Sequence, residues 1–205
     1  MNFNTIKKTI TPKKVLDIGA HIGEFYNSVK FNFPDASCLL VEGNPDCEIY
    51  LKNLNVPYHI CLLGSENKKV TFFKNKKNPI CTGSSMFKEL SEHYKEENLE
   101  KVTLDCYRLD DLNKNKVVFD LVKIDTQGAE LEIFKGGVET LTKAKFIIME
   151  TSVVPYNNGA PMQKEVIEFM TNYNFENIEV ISEGRANGGL GELLQQDILF
   201  LNKSI

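Results

Sequence analysis

An apolar run from Val15 to Ile18, interrupted only by Asp17, breaks into a glycine turn between Gly19 and Gly23. A second apolar run ends on an acid, Glu42, nineteen residues beyond Gly23, in the stretch Val41-Glu42-Gly43-Asn44. A buried strand, a glycine turn, a helix and a second strand ending on an acid compose the opening βαβ unit of a nucleotide-binding α/β sheet. Glu42 is then placed to bind ribose hydroxyls at the carboxyl end of its strand.

The spacing of the glycines narrows the ligand. A dinucleotide fingerprint requires a glycine two residues after Gly19, so that backbone can approach a pyrophosphate, and this chain has His21 there. Asp17 at the strand end would repel phosphate. It suits a cationic nucleoside such as S-adenosylmethionine, which combines a ribose with a sulfonium and an ammonium. A nucleotide-dependent oxidoreductase is correspondingly disfavoured.

A chain of 205 residues fits one domain, residues 1–205, with a full core. The formal net charge of −4 offers no global attraction to nucleic acid or anionic membrane. Five cysteines, none closer than nine residues to the next, show neither zinc spacing nor a redox pair. They read as free buried thiols in a reducing compartment. Residues 1–14 lack an apolar signal core, and no apolar run approaches membrane-spanning length. The expectation is a cytoplasmic protein with no nucleic-acid or membrane partner.

Along the chain, strands are expected at residues 14–18, 37–42, 57–63, 120–124, 145–149, 175–181 and 197–201. Helices are expected at residues 22–33, 45–54, 129–141 (kinked near Gly136-Gly137) and 162–173. Strands alternating with helices predict a doubly wound, mostly parallel sheet. The last two strands are joined by a glycine-rich loop too short for a helical crossover, so the final strand should run antiparallel. That is the class I methyltransferase (Rossmann-like) arrangement. Residues 65–116 depart from the alternation. They read as an insertion with an added strand pair, residues 70–73 and 102–107, around a charged, solvated helix over residues 85–97.

Several segments in order resemble the FkbM family of S-adenosylmethionine-dependent methyltransferases. They are residues 15–25, Val41-Glu42-Gly43-Asn44-Pro45, Gly83-Ser84-Ser85, Leu109-Asp110-Asp111-Leu112, and above all Asp120-Leu121-Val122-Lys123-Ile124-Asp125-Thr126-Gln127-Gly128-Ala129-Glu130 with Phe134-Lys135-Gly136. Glu150 and the terminal Asp197-Ile198-Leu199-Phe200 also fit. The resemblance implies methyl transfer to oxygen, often a sugar hydroxyl of a glycan or glycosylated metabolite. Two positions depart from the family pattern: His21 replaces a small polar residue, and Gln127 stands where an acid is usual.

The expected cofactor cradle comprises Asp17, Gly19, His21, Gly23, Glu42, Gly43, Asn44, Ser84 and Ser85. Asp125 and Glu150 end adjacent strands and are the catalytic candidates. Adjacent strands lie about 4.8 Å apart, so two such carboxylates converge, either on a divalent cation such as Mg²⁺ or on one shared proton. Gln127 lowers the local negative charge, which favours a metal-free site with Asp125 taking the hydroxyl proton and Glu150 orienting the acceptor. Glu130, one turn into its helix, reads as structural. Gln127 and Arg185 are expected at the acceptor, with Asn187 and the glycines after it forming a flap. A degenerate binding protein of the same fold is the non-enzymatic alternative.

Overall fold

The computed structural model describes residues 1–186 and 189–205. The first helix, α1 (Asn4–Thr9), leads into β1 (Lys14–Ile18), α2 (Glu24–Asn32) and β2 (Ser37–Glu42). A 3-10 turn (Pro45–Cys47) and α3 (Glu48–Lys52) precede β3 (Tyr58–Ile60) and β4 (Leu62–Leu63). The insertion holds β5 (Lys68–Asn75) and β6 (Leu99–Tyr107). After α4 (Leu109–Leu112) come β7 (Leu121–Ile124), α5 (Glu130–Gly136), α6 (Val138–Leu141) and β8 (Phe146–Ser152). The chain closes with α7 (Gln163–Asn172), β9 (Phe175–Arg185) and β10 (Leu193–Asn202).

Seven strands form the main sheet in the order β3-β2-β1-β7-β8-β10-β9. β1 pairs in parallel with both β2 and β7, and β7 with β8. β10 is antiparallel to both its neighbours, as the short final connection requires. The switch in strand order falls between β1 and β7, where open α/β sheets bind ligands.

Alternating side chains feed two cores. Leu16, Ile18, Val122, Ile124, Ile147 and Met149 face α5, α6 and α7. Val15, Leu40, Leu121, Phe146 and Ile148 face α1 and α2. Asp17 and Lys123 are register partners and project on the second of these faces. Each places a charge where the alternation calls for an apolar residue.

Four elements differ from the sequence expectations. The expected strand at 57–63 is split, because the chain leaves the main sheet after Ile60 so that Leu62 and Leu63 pair with Cys106 and Tyr107. A separate sheet, β4-β6-β5, results. The charged helix expected over residues 85–97 is absent. Phe73 instead bridges Ser85, Glu89 bridges Asn157, and only Glu92–Tyr94 forms a 3-10 turn. Serine side chains compete with helix here: the Ser85 hydroxyl accepts from the Phe87 amide and Ser91 from that of His93. Helix α1 had no sequence expectation. Phe3 secures it, its ring 6.0 Å from Phe25 and 5.6 Å from Phe33. The β9–β10 ribbon is longer than expected, extended by residues 182–185 and 193–196.

Candidate active site

The carboxyl ends of β1 and β2 form a cradle around Glu42. This buried carboxylate accepts the His21 amide at 2.7 Å on one oxygen and the Asn44 amide at 2.6 Å on the other. Burial pushes the Glu42 carboxyl up, and the two backbone donors pull it back. Gly19, at φ +82°, passes so close to β7 that an added Cβ would lie 1.7 Å from the Asp125 carbonyl oxygen. No other residue type fits there, and the close approach brings Asp125 beside the glycine turn.

The cradle opens into a cavity of about 100 Å³. One half is apolar, walled by Val41, Leu62, Leu63, Phe72, Met86 and Ile133. The other carries Gly19, His21, Glu42, Gly43, Asn44, Ser84, Ser85, Asp125 and Gln127. All the expected cofactor residues but two therefore line one volume. Gly23 begins α2 in a left-handed conformation, and Asp17 lies beneath the turn.

The insertion roofs this cavity. Asn44 Nδ2 donates to the Pro79 carbonyl at 2.7 Å, and the His21 ring nitrogen Nε2 lies 2.7 Å from the Ile80 carbonyl. The Ser85 hydroxyl lies 2.9 Å from both the Thr126 and Gln127 carbonyls. Ser84 Oγ sits 3.3 Å from the Tyr94 hydroxyl.

Asp17 is 1% exposed, and neither of its carboxyl oxygens has a hydrogen-bond partner among the described residues. Burial, reinforced by Asp125, Glu42 and Glu24 and opposed by Lys123, pushes its carboxyl up to about 7. A second cavity, of about 350 Å³, opens on the same face as Asp17 and is lined by Glu24, Lys123, Asp125, Ser182 and Asp197. It shares Gly19, His21, Thr82 and Asp125 with the first. Asp125 thus stands where the two cavities meet.

Around Asp125 the strand ends assemble a charged cluster. The buried Lys123 ammonium lies 2.5 Å from Asp125 Oδ2. Gln127, held at φ +57°, donates Nε2 to Glu150 Oε2 at 2.6 Å and reaches Asp125 Oδ1 at 3.5 Å. Gln195 Nε2 donates to Gln127 Oε1 at 3.3 Å. Burial opposes ionisation of Asp125, yet the Lys123 charge, together with side-chain hydrogen bonds to Lys123, Glu150 and Gln127, outweighs it and holds the carboxyl below its ordinary range. Glu150 is the reverse case, pushed well up by burial and then by Asp125, Glu130 and Asp197. Glu130 accepts the Thr126 and Gly128 amides, which suits its structural reading. Among the described residues, no group of three or more His, Cys, Asp or Glu side chains is arranged to hold a metal ion.

Asp125, Gln127 and Glu150 therefore come together, and Arg185 does not join them. It pairs with Glu183 at 2.9 Å near the end of β9 and lines neither cavity. Asn187 lies outside the described residues. Sequence reasoning gave no role to Lys123, although a lysine inside a strand buried along its whole length was a signal. Gln195, in a polar stretch, offered none.

A family model described as the methyltransferase FkbM domain matches residues 17–176. The chain belongs to the FkbM methyltransferase family. The match runs from the end of β1 through α7 to the start of β9 and takes in both catalytic candidates. No curated protein matches this FkbM chain. Its fold is similar to that of a precorrin-6y C5,15-methyltransferase from Geobacter metallireducens (12% identity, TM-score 0.51, covering 95% of this chain and 82% of that one). It is also similar to a putative O-methyltransferase from Klebsiella pneumoniae (12% identity, TM-score 0.54, covering 97% and 76%). A third similar structure is that of M. capricolum TrmK in complex with S-adenosylhomocysteine (13% identity, TM-score 0.52, covering 99% and 69%). At such identities the likeness is one of fold, and that fold is the class I methyltransferase sheet with its antiparallel last strand.

Proposed function

We propose that this FkbM-family protein is an S-adenosylmethionine-dependent O-methyltransferase whose acceptor is a sugar hydroxyl in a glycan or glycosylated metabolite. The position of Asp125 carries the reading: it stands between the cavity beside Glu42 and a second, charged one, in contact with a lysine and within reach of a second carboxyl group.

The residues present fit the donor. Glu42 has lone pairs left for ribose hydroxyls after binding the His21 and Asn44 amides. The apolar half of the cavity suits a flat base, and the close approach at Gly19 leaves no side chain in the way. The buried carboxyl of Asp17, without a hydrogen-bond partner among the described residues, gains the negative charge that a cationic ligand favours as pH rises through about 7. When bound, the donor supplies an electrophilic methyl group on a sulfonium. The roof made by residues 79–87 excludes water and holds the reacting partners in line. The carboxyl pair Asp125–Glu150 provides a place for the proton that a neutral hydroxyl must lose. A sugar is favoured over nucleic acid by the family resemblance and by the net charge of −4.

The test is transfer of isotope-labelled methyl groups from S-adenosylmethionine to a panel of sugars, glycans and glycosylated metabolites, with RNA and DNA alongside. Label in a glycan hydroxyl is the expected result. Label in nucleic acid alone would overturn the reading. Calorimetry of Glu42→Ala should show S-adenosylhomocysteine binding weakened by about 1.5–3 kcal/mol, the worth of a charge-assisted hydrogen bond.

A further inference from the structure

We infer that Glu150, rather than Asp125, takes the acceptor's proton, and that Gln127 is the positioning residue that holds Glu150 for this role. The inference rests on the hydroxyl-methylation reading above and divides its work between the two carboxyls.

The two differ first in their partners. Asp125 is engaged on one oxygen by the Lys123 ammonium at 2.5 Å and faces the Gln127 amide at 3.5 Å with the other. A carboxylate neutralised by a contact cation is a weak base. Among the described residues, Glu150 has no salt-bridge partner of this kind. Its donor is the neutral amide of Gln127 at 2.6 Å, an interaction that orients a carboxylate while leaving its charge in place.

Gln127 is itself fixed from two sides. Gln195 on β10 donates to its oxygen at 3.3 Å, and Ser85 in the roof bonds its backbone carbonyl at 2.9 Å. The amide group thus has its oxygen committed to one strand and its nitrogen aimed at another.

The groups facing Glu150 are Asp125 and Lys123 from β7, Glu130 from α5, Asp197 from β10 and Tyr156 beyond β8. Three of these are carboxyls that repel its charge. Lys123 acts on it more weakly than any of the three. A base is most effective when its affinity for protons lies near the working pH, and these neighbours move Glu150 in that direction while Lys123 moves Asp125 away. In the step itself, the acceptor oxygen bonds the methyl carbon as the carbon–sulfur bond breaks. The bonding pair passes to sulfur, leaving a neutral thioether, and the hydroxyl proton passes to Glu150, which becomes a neutral carboxylic acid.

Only ionised Glu150 can take the proton, so the rate should rise with pH through its ionisation. Two readouts test this: the pH profile of kcat, and NMR titration of protein labelled with ¹³C at the glutamate carboxyls, with Glu150→Gln identifying the signal. Glu150 should titrate above the ordinary carboxylate range. In Asp125→Asn, which removes a like charge, the Glu150 signal should move at least one pH unit lower. Glu150→Gln should lose at least a hundredfold in kcat while binding S-adenosylhomocysteine within threefold of the native protein. Gln127→Met, lacking the donor, should move signal and limb to higher pH, and Gln127→Asn should restore part of that shift. An inactive Asp125→Asn beside an active Glu150→Gln would overturn the assignment, as would a Glu150 signal in the ordinary range. Failure of the sugar reading looks different: no panel sugar is labelled, while the carboxyl titrations move as stated.

Discussion

Asp17 pays for its place in a strand buried between two cores. Its carboxyl is raised from 3.8 to about 7, with burial the largest cause. For an acid raised in the folded state, the folded form holds the proton more tightly than the unfolded chain does. The associated stability is full below the unfolded value near 4 and is lost as pH rises through about 7. A shift of this size corresponds to something on the order of 4 kcal/mol. Asp17→Asn removes that dependence, so its melting temperature should exceed the native one at pH 8 and the difference should shrink by pH 5. Equal differences at both pH values would show that Asp17 does not carry this cost. Glu130, raised to about 6 chiefly by burial, pulls native stability the same way in both proteins and cancels in the comparison. Asp17 was legible in the sequence as an acid at a strand end. Its lack of a partner was not, because that depends on where the α2 turn and β7 stop short of it.

At the level of elements, the roof is the unit that sequence periodicity misjudged. The Lys- and Glu-rich composition of residues 85–97 suggested a solvated helix, yet Glu89 is buried at 4% exposure and Tyr94 at 1%. Local serine-to-backbone bonds, with the pairing of Phe73 to Ser85 and Glu89 to Asn157, hold this segment irregular over the cavity. Ser85 contributes most directly, through contacts with two carbonyls of the β7–α5 loop. Ser85→Ala should cost about 1–3 kcal/mol, because those buried carbonyls lose a donor. The loss should be local: amide hydrogen exchange should speed up across residues 78–90 and leave β1 and β7 unchanged. Uniform acceleration throughout the chain would contradict a roof held by this residue. The main-sheet strands were legible because each is a contiguous apolar run. The split between β3 and β4 was not, since Cys61 sits in an unbroken hydrophobic stretch and only its pairing partners decide which sheet each half joins.

For the whole molecule, the site depends on how firmly α5 and α7 hold the sheet edge that carries Asp125 and Glu150. Phe134 is fully buried, with Phe169, Tyr173 and Phe175 around it at ring distances of 5.4, 4.9 and 6.0 Å. Phe134→Ala should destabilise the fold by about 3–5 kcal/mol, read as a lower urea midpoint with an unchanged slope. A loss below about 1 kcal/mol would mean that the aromatic cluster repacks and that α5 is held by other contacts. Phe134 falls within the helix expected over residues 129–141. Its three aromatic neighbours come from α7, the turn after it and the start of β9.

What the sequence determined by itself is what contiguous residues encode. The glycine spacing after Asp17, the acid ending β2, the apolar runs and the short final connection set the βαβ unit, the doubly wound, mostly parallel sheet and the antiparallel last strand. Each depends on steric or periodic rules acting over a few residues. The tertiary structure alone decided which polar groups meet. Lys123 reaches Asp125 along one strand, but Gln127, Glu150 and Gln195 arrive from a loop and two further strands, and the crossovers between them bring together residues up to 72 positions apart. The roof and the unequal environments of the two carboxyls arise in the same way. Burial and neighbouring charge set the proton affinity of each group, and both exist only once the chain has folded.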